Sequence, residues 1–491
     1  MLSEYFSAVD FLVMKPVILL ALFGMGVMLT DLLLEPAYKY FNAITALVGV
    51  GFASLQLWMI QSQMRQAGIN EIEAFRGALV LDRLGIFFIW IFLISTAITI
   101  LISIRYLEIE EENHGEYYAL ILFATVGMIL LSTGMDLITL FVALELMVIS
   151  IYILTGFLRR DRRSNEAALK YLLLGAFSTG ILTFGMSLLY GMSNSTDLRN
   201  IQSALAQRPP GDPLVIMAVV TIATGLFFKI GAVPFHQWLP DVYEGAPHPI
   251  TAFMSVGPKV AAFAFLLRMF LVALGPARHE WLPLLVGVAV ATMTLGNLAA
   301  ISQSNIKRLL GYSAISHVGY LLLGLVSGND TGLKGISMYL LVYTFMNLGV
   351  FTVVVAMRRR DLIGDEIDDM SGLIYKSPGA AILMMIFLLS LAGIPPTAGF
   401  LGKYFIFLSL IETGHNVLAV VAVLYVAVAL YYYFRIVSVM FMREPIDQEL
   451  PSISPGIRLA LGVTGAMTLI IGIYPNPFIE FANRTVLAVM R

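Results

Sequence analysis

The sequence contains no cysteine. It therefore cannot hold a thiolate-ligated iron–sulfur cluster, a disulfide or a cysteine-ligated zinc ion. Its six histidines are scattered without haem or HExxH spacing, and neither a GxxxxGK(S/T) motif nor a strand-linked GxGxxG motif occurs. Because no site for ATP or a redox cofactor is visible, we expect any driving energy to come from a partner or an ion gradient.

Charged residues are also scarce. They make up 13% of the 491 residues, against about 25% in soluble domains, and 59% of the residues are hydrophobic. The mean hydropathy of +0.86 is typical of a polytopic membrane protein. The formal net charge of −2 excludes the basic surface of a nucleic-acid-binding protein.

Fourteen segments have the length and hydropathy of a membrane span, which predicts an all-α polytopic fold. The N-terminal sequence MLSEYFSAVD lacks the basic region of a signal peptide, so the first segment is expected to be a retained helix. The approximate span cores are residues 12–32, 41–61, 79–103, 118–134, 137–158, 170–191, 213–235, 249–274, 282–302, 309–327, 335–357, 379–411, 416–441 and 457–476.

Basic residues concentrate in three of the predicted loops. These are residues 159–163, 307–308 and 358–360. With fourteen spans all three loops fall on one side of the membrane, which the positive-inside rule predicts to be cytoplasmic. Both termini are then expected on the outer, periplasmic side.

The seventh and twelfth spans contain helix breakers. Gly231 and Pro234 follow a lysine in the seventh span, and residues 393–402 of the twelfth have the sequence GIPPTAGFLG. Interrupted helices in corresponding halves are typical of transporters built from repeats. We therefore predict two inverted five-helix repeats, helices 4–8 in residues 117–274 and helices 9–13 in residues 282–441. Three helices precede them in residues 1–110, and a last helix lies in residues 442–491.

Three lysines lie inside apolar runs: Lys229, Lys259 and Lys403. A charge at the centre of a bilayer costs about 2.5–3.5 kcal/mol on insertion scales, so such residues usually serve ion or proton movement. Burial disfavours the charged form of an amine and a nearby carboxylate favours it, which would let these groups take up and release protons. Snorkelling to the membrane surface or a fixed structural ion pair is the alternative.

Further polar residues are candidates for the same path. Glu145, in the fifth span, is the expected ion partner of a buried lysine. Lys170 forms an i,i+4 pair with Glu166, either as an interfacial ion pair or as a relay between Glu145 and Lys229. His236 and His317 are candidate proton shuttles, with packed structural histidines as the alternative.

Three stretches of the sequence resemble the N-type (subunit 2) membrane subunits of respiratory complex I. These stretches are GLFFKIGAVPFHQWLPDVYEGAPHPITAFMSVGPKVAAF, GNLAAISQSNIKRLLGYSAISHVGYLLLGL and SLAGIPPTAGFLGKYF. The resemblance covers roughly residues 120–440 and implies fourteen helices, two inverted repeats and broken helices seven and twelve. It implies proton translocation driven by NADH:quinone oxidoreduction in partner subunits.

The resemblance also implies roles for individual residues. Glu145 is similar to the family's span-five glutamate, Lys229 to its span-seven lysine and Lys259 to its central span-eight lysine. Lys403 resembles the span-twelve residue that discharges protons outward. Lys170 and His236 match further positions of the family's polar axis.

Two related classes remain as alternatives. The M-type sister subunit has a glutamate where this chain has Lys403, and Mrp-type Na⁺/H⁺ antiporter subunits share the same core. The family implies a bacterial inner membrane, lipid contacts, and partners that include the M-type sister and the small K-type and J-type subunits. FMN, iron–sulfur clusters and quinone are expected on partner subunits and none on this chain.

Overall fold

The computed structural model describes residues 7–359, 364–446 and 449–489. Arg360 of the third basic loop lies outside the described residues, as do the ends 1–6 and 490–491 of the first and last predicted domains. The helices of the first half are α1 Ala8–Asp31, α2 Phe41–Ala67, α3 Arg83–Glu110, α4 Gly115–Thr133, α5 Leu137–Thr155, α6 Arg162–Ser193, α7 Leu198–Leu205, α8 Pro213–Ile230, α9 Trp238–Gly245 and α10 His248–Leu267.

The second half is equally helical. Its helices are α11 Arg278–Ile301, α12 Ile306–Ser327, α13 Asp330–Met357, α14 Leu373–Lys376, α15 Pro378–Ala392, α16 Ala398–Glu412, α17 Asn416–Met442, α18 Pro455–Ile473 and α19 Asn476–Val489. In the described ranges, 13 helices are long and apolar enough to cross a membrane, and α15 is a further, shorter apolar helix. The all-α polytopic class is therefore confirmed.

Both predicted breaks interrupt a helix. The helix α8 ends at Gly231 and α15 ends at Gly393, with φ angles of +76° and +87° that favour glycine. Each glycine N–H donates to a carbonyl one turn back, which is the usual way to end a helix. A proline follows within three residues in each case, so the chain cannot resume the helix at once.

Short polar side chains cap the starts of nine of the nineteen described helices. Asp136 accepts hydrogen bonds from two backbone N–H groups at the start of α5, and Asn305 does the same for α12. The helix α6 begins at Arg162, eight residues before the predicted core, because Asp161 caps a charged first turn that hydropathy alone does not detect.

One predicted boundary is wrong. Residues 79–82, assigned to the third span, instead form strand β2 (Leu79–Asp82), which pairs antiparallel with β1 (Glu71–Ala74). Asp82 then caps α3 by accepting a hydrogen bond from the Gly85 N–H. The hairpin was missed because its second strand is as apolar as the helix that follows it.

The centre of the molecule consists of α10, α12 and α13. Almost every residue of their apolar stretches is buried, whereas α1 and α17 expose most of theirs. All-round burial of a helix is typical of the core of a bundle. Polar side chains on these three helices are therefore held away from both lipid and solvent.

The three basic loops lie together. Arg163, Lys307 and Arg358, one from each loop, line a single cavity of about 60 Å³. Asn305 and Glu366 also form an isolated β-bridge at this end of the molecule. The shared cavity agrees with the predicted placement of these loops on one side of the membrane.

Candidate functional site

Lys229 lies on the last turn of α8, directly before the first helix break. Its side chain is buried, and Nζ donates a hydrogen bond of 3.0 Å to Thr179 Oγ1 on α6. The same Nζ lies 5.7 Å from the centroid of the Phe228 ring. The ammonium is thus held by a hydroxyl and an aromatic ring, two groups that carry no formal charge.

Glu145 lies on α5, which packs against α6, the helix that supplies Thr179 to Lys229. Within the described ranges, however, Glu145 and Lys229 form no ion pair within 4.0 Å, so the expected direct contact is absent. Glu145 is half-buried, and its Oε1 atom is enclosed without a hydrogen-bond partner among those residues. Val142 and Ile149, on the same face of α5, are exposed, so the carboxylate lies near the outer surface of the helix bundle.

Lys259 occupies the middle of the central helix α10. It is 3% exposed, and its Nζ has no hydrogen-bond partner among the described residues. Two tyrosine rings flank the amine, with centroids 6.0 Å away for Tyr243 and 5.7 Å for Tyr343. Cation–π attraction of this kind stabilises an ammonium by about 1–2 kcal/mol, less than a carboxylate partner or water would supply.

His317 lies on α12 and is bonded through both ring nitrogens. Nδ1 shares a hydrogen bond with the Tyr339 hydroxyl, and Nε2 lies 3.1 Å from the Tyr433 hydroxyl. Tyr433 in turn hydrogen-bonds Ser313, one turn earlier on α12. The histidine is therefore the centre of a buried hydroxyl network that joins α12, α13 and α17.

Lys403 follows the second helix break. Its Nζ donates to the carbonyl oxygens of Leu391 and Ala392, at 3.0 and 2.9 Å, which belong to the last turn of α15. Such carbonyls carry the negative end of the helix dipole and suit a cation. The Tyr320 ring lies 5.0 Å from the same Nζ.

Aromatic rings connect the central lysine to the last one. Tyr343 lies between Lys259 and His317, at 5.7 Å from the amine and 5.2 Å from the imidazole, measured to its ring centroid. Tyr320 lies between His317 and Lys403, with a ring-centroid distance of 6.4 Å to the histidine. These five residues, here called the central axis, form one continuous row of side chains.

The short helix α9 lies between the first two lysines. Trp238 donates from Nε1 to the Phe228 carbonyl at 3.0 Å, beside Lys229, and Tyr243 flanks Lys259. His236 precedes this helix, inside the first break, and is buried. In the part of the chain that the structure describes, it makes no hydrogen bond to Lys229.

Lys170 lies apart from the buried lysines. It is half-exposed and pairs with Glu166 at 2.8 Å and Asp241 at 3.0 Å. Arg308 extends the cluster with ion pairs to Asp241 at 2.7 Å and Glu244 at 2.8 Å. This geometry favours the interfacial ion pair over a relay towards Lys229.

Sequence reasoning missed a second buried cluster at the start of α10. His248 Nε2 lies 2.6 Å from Asp365 Oδ1, and Lys307 Nζ lies 3.6 Å from the other oxygen. Burial alone would raise the pKa of Asp365, but the charges and hydrogen bonds of Lys307 and His248 lower it to about 2. The carboxylate comes from the loop after α13, so spacing along the chain gave no signal for it.

A buried ion pair at the other end of α10 was also missed. Arg268 contacts both oxygens of Asp82 at 3.0 and 2.9 Å and donates to the Ser132 carbonyl. It joins the ends of α3, α4 and α10, and both charged side chains are almost fully enclosed. Such a pair fixes geometry more than it adds stability.

Comparison with known proteins places the chain in a family. The family model described as NADH:quinone oxidoreductase/Mrp antiporter, TM matches residues 134–429. A curated relative from Solibacter usitatus, named NADH-quinone oxidoreductase subunit N 2, is 55% identical over 484 residues, which is 98% of each chain. The chain belongs to the subunit N family of NADH-quinone oxidoreductase. The resemblance found in the sequence is thus confirmed, and it favours the N type over its M-type sister.

Solved structures agree with membership of the subunit N family. A chain of respiratory complex I from Thermus thermophilus with bound aureothin superposes with a TM-score of 0.80 at 31% identity, over 95% of this chain and 99% of that one. A chain of the Mrp complex from Dietzia sp. gives a TM-score of 0.82 at 21% identity, over 96% and 97% of the two chains. The second likeness shows a shared fold alone. Within the described residues, no group of three or more His, Asp or Glu side chains is placed to hold a metal ion.

Proposed function

We propose that this chain carries protons across the membrane as the N-type subunit of an NADH:quinone oxidoreductase. The proposal rests on the surroundings of Lys229, Lys259 and Lys403. All three are buried within apolar spans, and among the described residues none has a carboxylate within 4.0 Å. A buried amine without a neutralising partner is poised between its charged and neutral forms, which is what a proton carrier requires.

The proposed path takes up a proton from the side of the basic loops and brings it to Lys229. From there it runs to Lys259, crosses the central axis through His317, and leaves from Lys403. Support comes from the Lys259 amine and the Tyr343 hydroxyl, two buried polar atoms on neighbouring side chains that have no hydrogen-bond partner among the described residues. Buried polar groups are almost always satisfied, so ordered water between them is the expected connection.

Glu145 is proposed to hold the proton on Lys229 through its charge. An acid near but not bonded to an amine changes the proton affinity of that amine whenever its own charge or distance changes. Its position near the outer surface of the helix bundle suits a group that responds to a neighbouring subunit. Lys170 and His236 are proposed as accessory residues. The ion pairs of Lys170 suit it better to hold the structure near the basic loops.

Redox energy is proposed to reach this chain from partner subunits. Moving one charge against 100 mV costs about 2.3 kcal/mol, and FMN, iron–sulfur clusters and quinone are assigned to those partners. The M-type sister and the small K-type and J-type subunits are the proposed neighbours. The proposed location is a bacterial inner membrane, with the basic loops in the cytoplasm and both termini outside.

We also propose that the middle of the chain consists of two repeats. Residues 117–274 and 282–441 are proposed as inverted repeats, each with one broken helix. In support, α8 and α15 both end at a glycine of positive φ, and a buried lysine adjoins each break. The lysine precedes the first break and follows the second, so the two breaks are not copies of each other in detail.

The test is proton pumping by the purified, reconstituted complex carrying Lys259→Met. Methionine keeps the bulk and apolar stem of lysine but cannot carry a proton, so pumping is expected to fall on the order of tenfold or more. Lys334→Met is the matched control, because this half-exposed lysine lies over the Phe405 ring outside the path. Unchanged pumping in a fully assembled Lys259→Met complex contradicts the proposal. Sodium–proton exchange by the chain without NADH would favour an antiporter instead.

A further inference from the structure

Three arginines converge on one cleft at the end of the molecule opposite the basic loops. Arg65 lies on the last turn of α2, Arg83 is the first residue of α3, and Arg484 lies on the C-terminal helix α19. They line a cleft of about 410 Å³. This volume falls within the range of sites that hold small organic ligands.

These three guanidinium groups have no acidic partner. In the described ranges, none makes an ion pair within 4.0 Å. Arg76 and Arg278 at this end make none in those ranges either, but Arg278 donates to two backbone carbonyls and neither residue lines the cleft. Arg199 pairs with Glu73. Likewise, Arg208 pairs with Asp212 and Arg268 with Asp82. Positive charge that repels itself in one cleft, without a compensating carboxylate, indicates an anionic occupant.

The rest of the cleft is apolar. Met64 and Ile86 are buried in its wall, and Phe481 of α19 contributes a partly buried ring. The cleft thus has a cationic part and a hydrocarbon part, side by side. A small hydrophilic anion would use only the first of these.

The cleft also lies at the ends of two candidate spanning helices, where a membrane surface is expected. Arg65 occupies the last turn of one and Arg83 is the first residue of the next, whereas Arg484 lies on α19, which is not a candidate span. Trp58, two turns before Arg65, is exposed on the outer face of α2, as is common for tryptophans at a lipid–water boundary. Trp90 of α3 donates to Gln61 of the cleft at 3.3 Å.

We propose that this cleft binds the phosphodiester headgroup of an anionic phospholipid. The guanidinium groups of Arg65, Arg83 and Arg484 hold the phosphate oxygens, and the acyl chains lie along Ile69 and Phe481. Planar guanidinium groups suit such a headgroup, since each can donate two hydrogen bonds to one phosphate. The lipid would also tie α19 to the first two spanning regions.

The test uses the chain in its native assembly, placed in phosphatidylcholine nanodiscs that contain a photoactivatable phosphatidylglycerol. Cross-linked peptides are mapped by mass spectrometry. We expect labelling at residues 61–69, 83–86 and 481–484. The triple variant Arg65→Gln, Arg83→Gln, Arg484→Gln should lose roughly 5-fold in apparent affinity per guanidinium, on the order of 100-fold in total.

Controls separate the possible occupants. Arg76→Gln, an exposed arginine of the hairpin outside the cleft, should label like the wild type. The single variant Arg484→Gln changes an exposed residue and should lower the apparent affinity for the lipid roughly 5-fold. It provides the measurement if the triple variant does not fold. Equal labelling by a photoactivatable phosphatidylcholine overturns the proposal. So does complete competition by inorganic phosphate, or a cleft that cross-links to a neighbouring polypeptide and not to lipid.

Discussion

Each of the three buried lysines is held by a different kind of group. Lys229 bonds a threonine hydroxyl, Lys259 lies between aromatic rings, and Lys403 bonds two helix-end carbonyls. Neutral acceptors, aromatic rings and dipoles stabilise an ammonium less than a carboxylate does, so each site can hold a proton without trapping it. At the scale of single residues, the proposed proton transfer depends on these weak, uncharged contacts to each ammonium.

Thr179 is the residue that most directly supports the charged form of Lys229. Thr179→Val keeps the shape but removes a hydrogen bond to a charged group, worth about 1.5–3 kcal/mol. We expect proton pumping at neutral pH to fall about tenfold and to recover partly at lower pH, where protonation needs less help. Pumping rates of the reconstituted complex across a pH series provide the measurement.

Thr183→Val is the matched control, because its hydroxyl bonds the Thr179 carbonyl one turn along the same helix and does not reach the lysine. If both valine variants behave alike, the hydrogen bond to Lys229 has no part in proton transfer.

The sequence was sufficient to select most of these residues. A lysine in an apolar run is conspicuous, and Lys229, Lys259 and Lys403 are all buried as expected. Tyr343 and Tyr339 could not be selected, because a tyrosine in an apolar helix is unremarkable until its neighbours are known. The distance between Glu145 and its lysine also depends on how α5 and α8 pack, which spacing along the chain does not encode.

At the scale of helices, the two breaks determine where the outer lysines lie. Ending α15 early exposes the carbonyls that hold Lys403, and the end of α8 places Lys229 beside α9. Proline and glycine predicted both breaks correctly because they act on the local backbone. The start of α3 was misplaced because strand β2 and a helix share the same apolar composition, and only pairing with β1 distinguishes them.

Gly393→Ala tests the second break. Alanine at φ +87° costs about 1–2 kcal/mol, and its Cβ would lie 2.9 Å from Lys403 Cδ. We expect the variant to displace the lysine from the carbonyls, lower the pumping rate several-fold and shorten the lifetime of the complex on heating. Pumping and heat-inactivation rates are the measurements.

Gly379→Ala serves as the control, since it lies on the same helix with open space around its Cβ position. A Gly393→Ala complex that pumps at the control's rate would show that the geometry of the break is dispensable.

At the scale of the whole molecule, the charged clusters separate into two ends with the central axis between them. Pairs such as His248–Asp365 and Lys170–Asp241 lie at the end of the basic loops, and Arg268–Asp82 lies at the other. The helical class and the common end of the basic loops followed from hydropathy and charge. The burial of α10, α12 and α13 at the centre did not, because all spans are similarly apolar.

Proton transfer along the proposed path requires water to connect the buried amines through the middle of the protein. A density map of the native complex in lipid, detailed enough to show ordered water, tests it most directly. We predict water bonded to the Lys259 amine and the Tyr343 hydroxyl, continuing past His317 towards Lys403. A map in which hydrocarbon side chains fill that space, and separate Lys259 from His317 without water, would contradict the account.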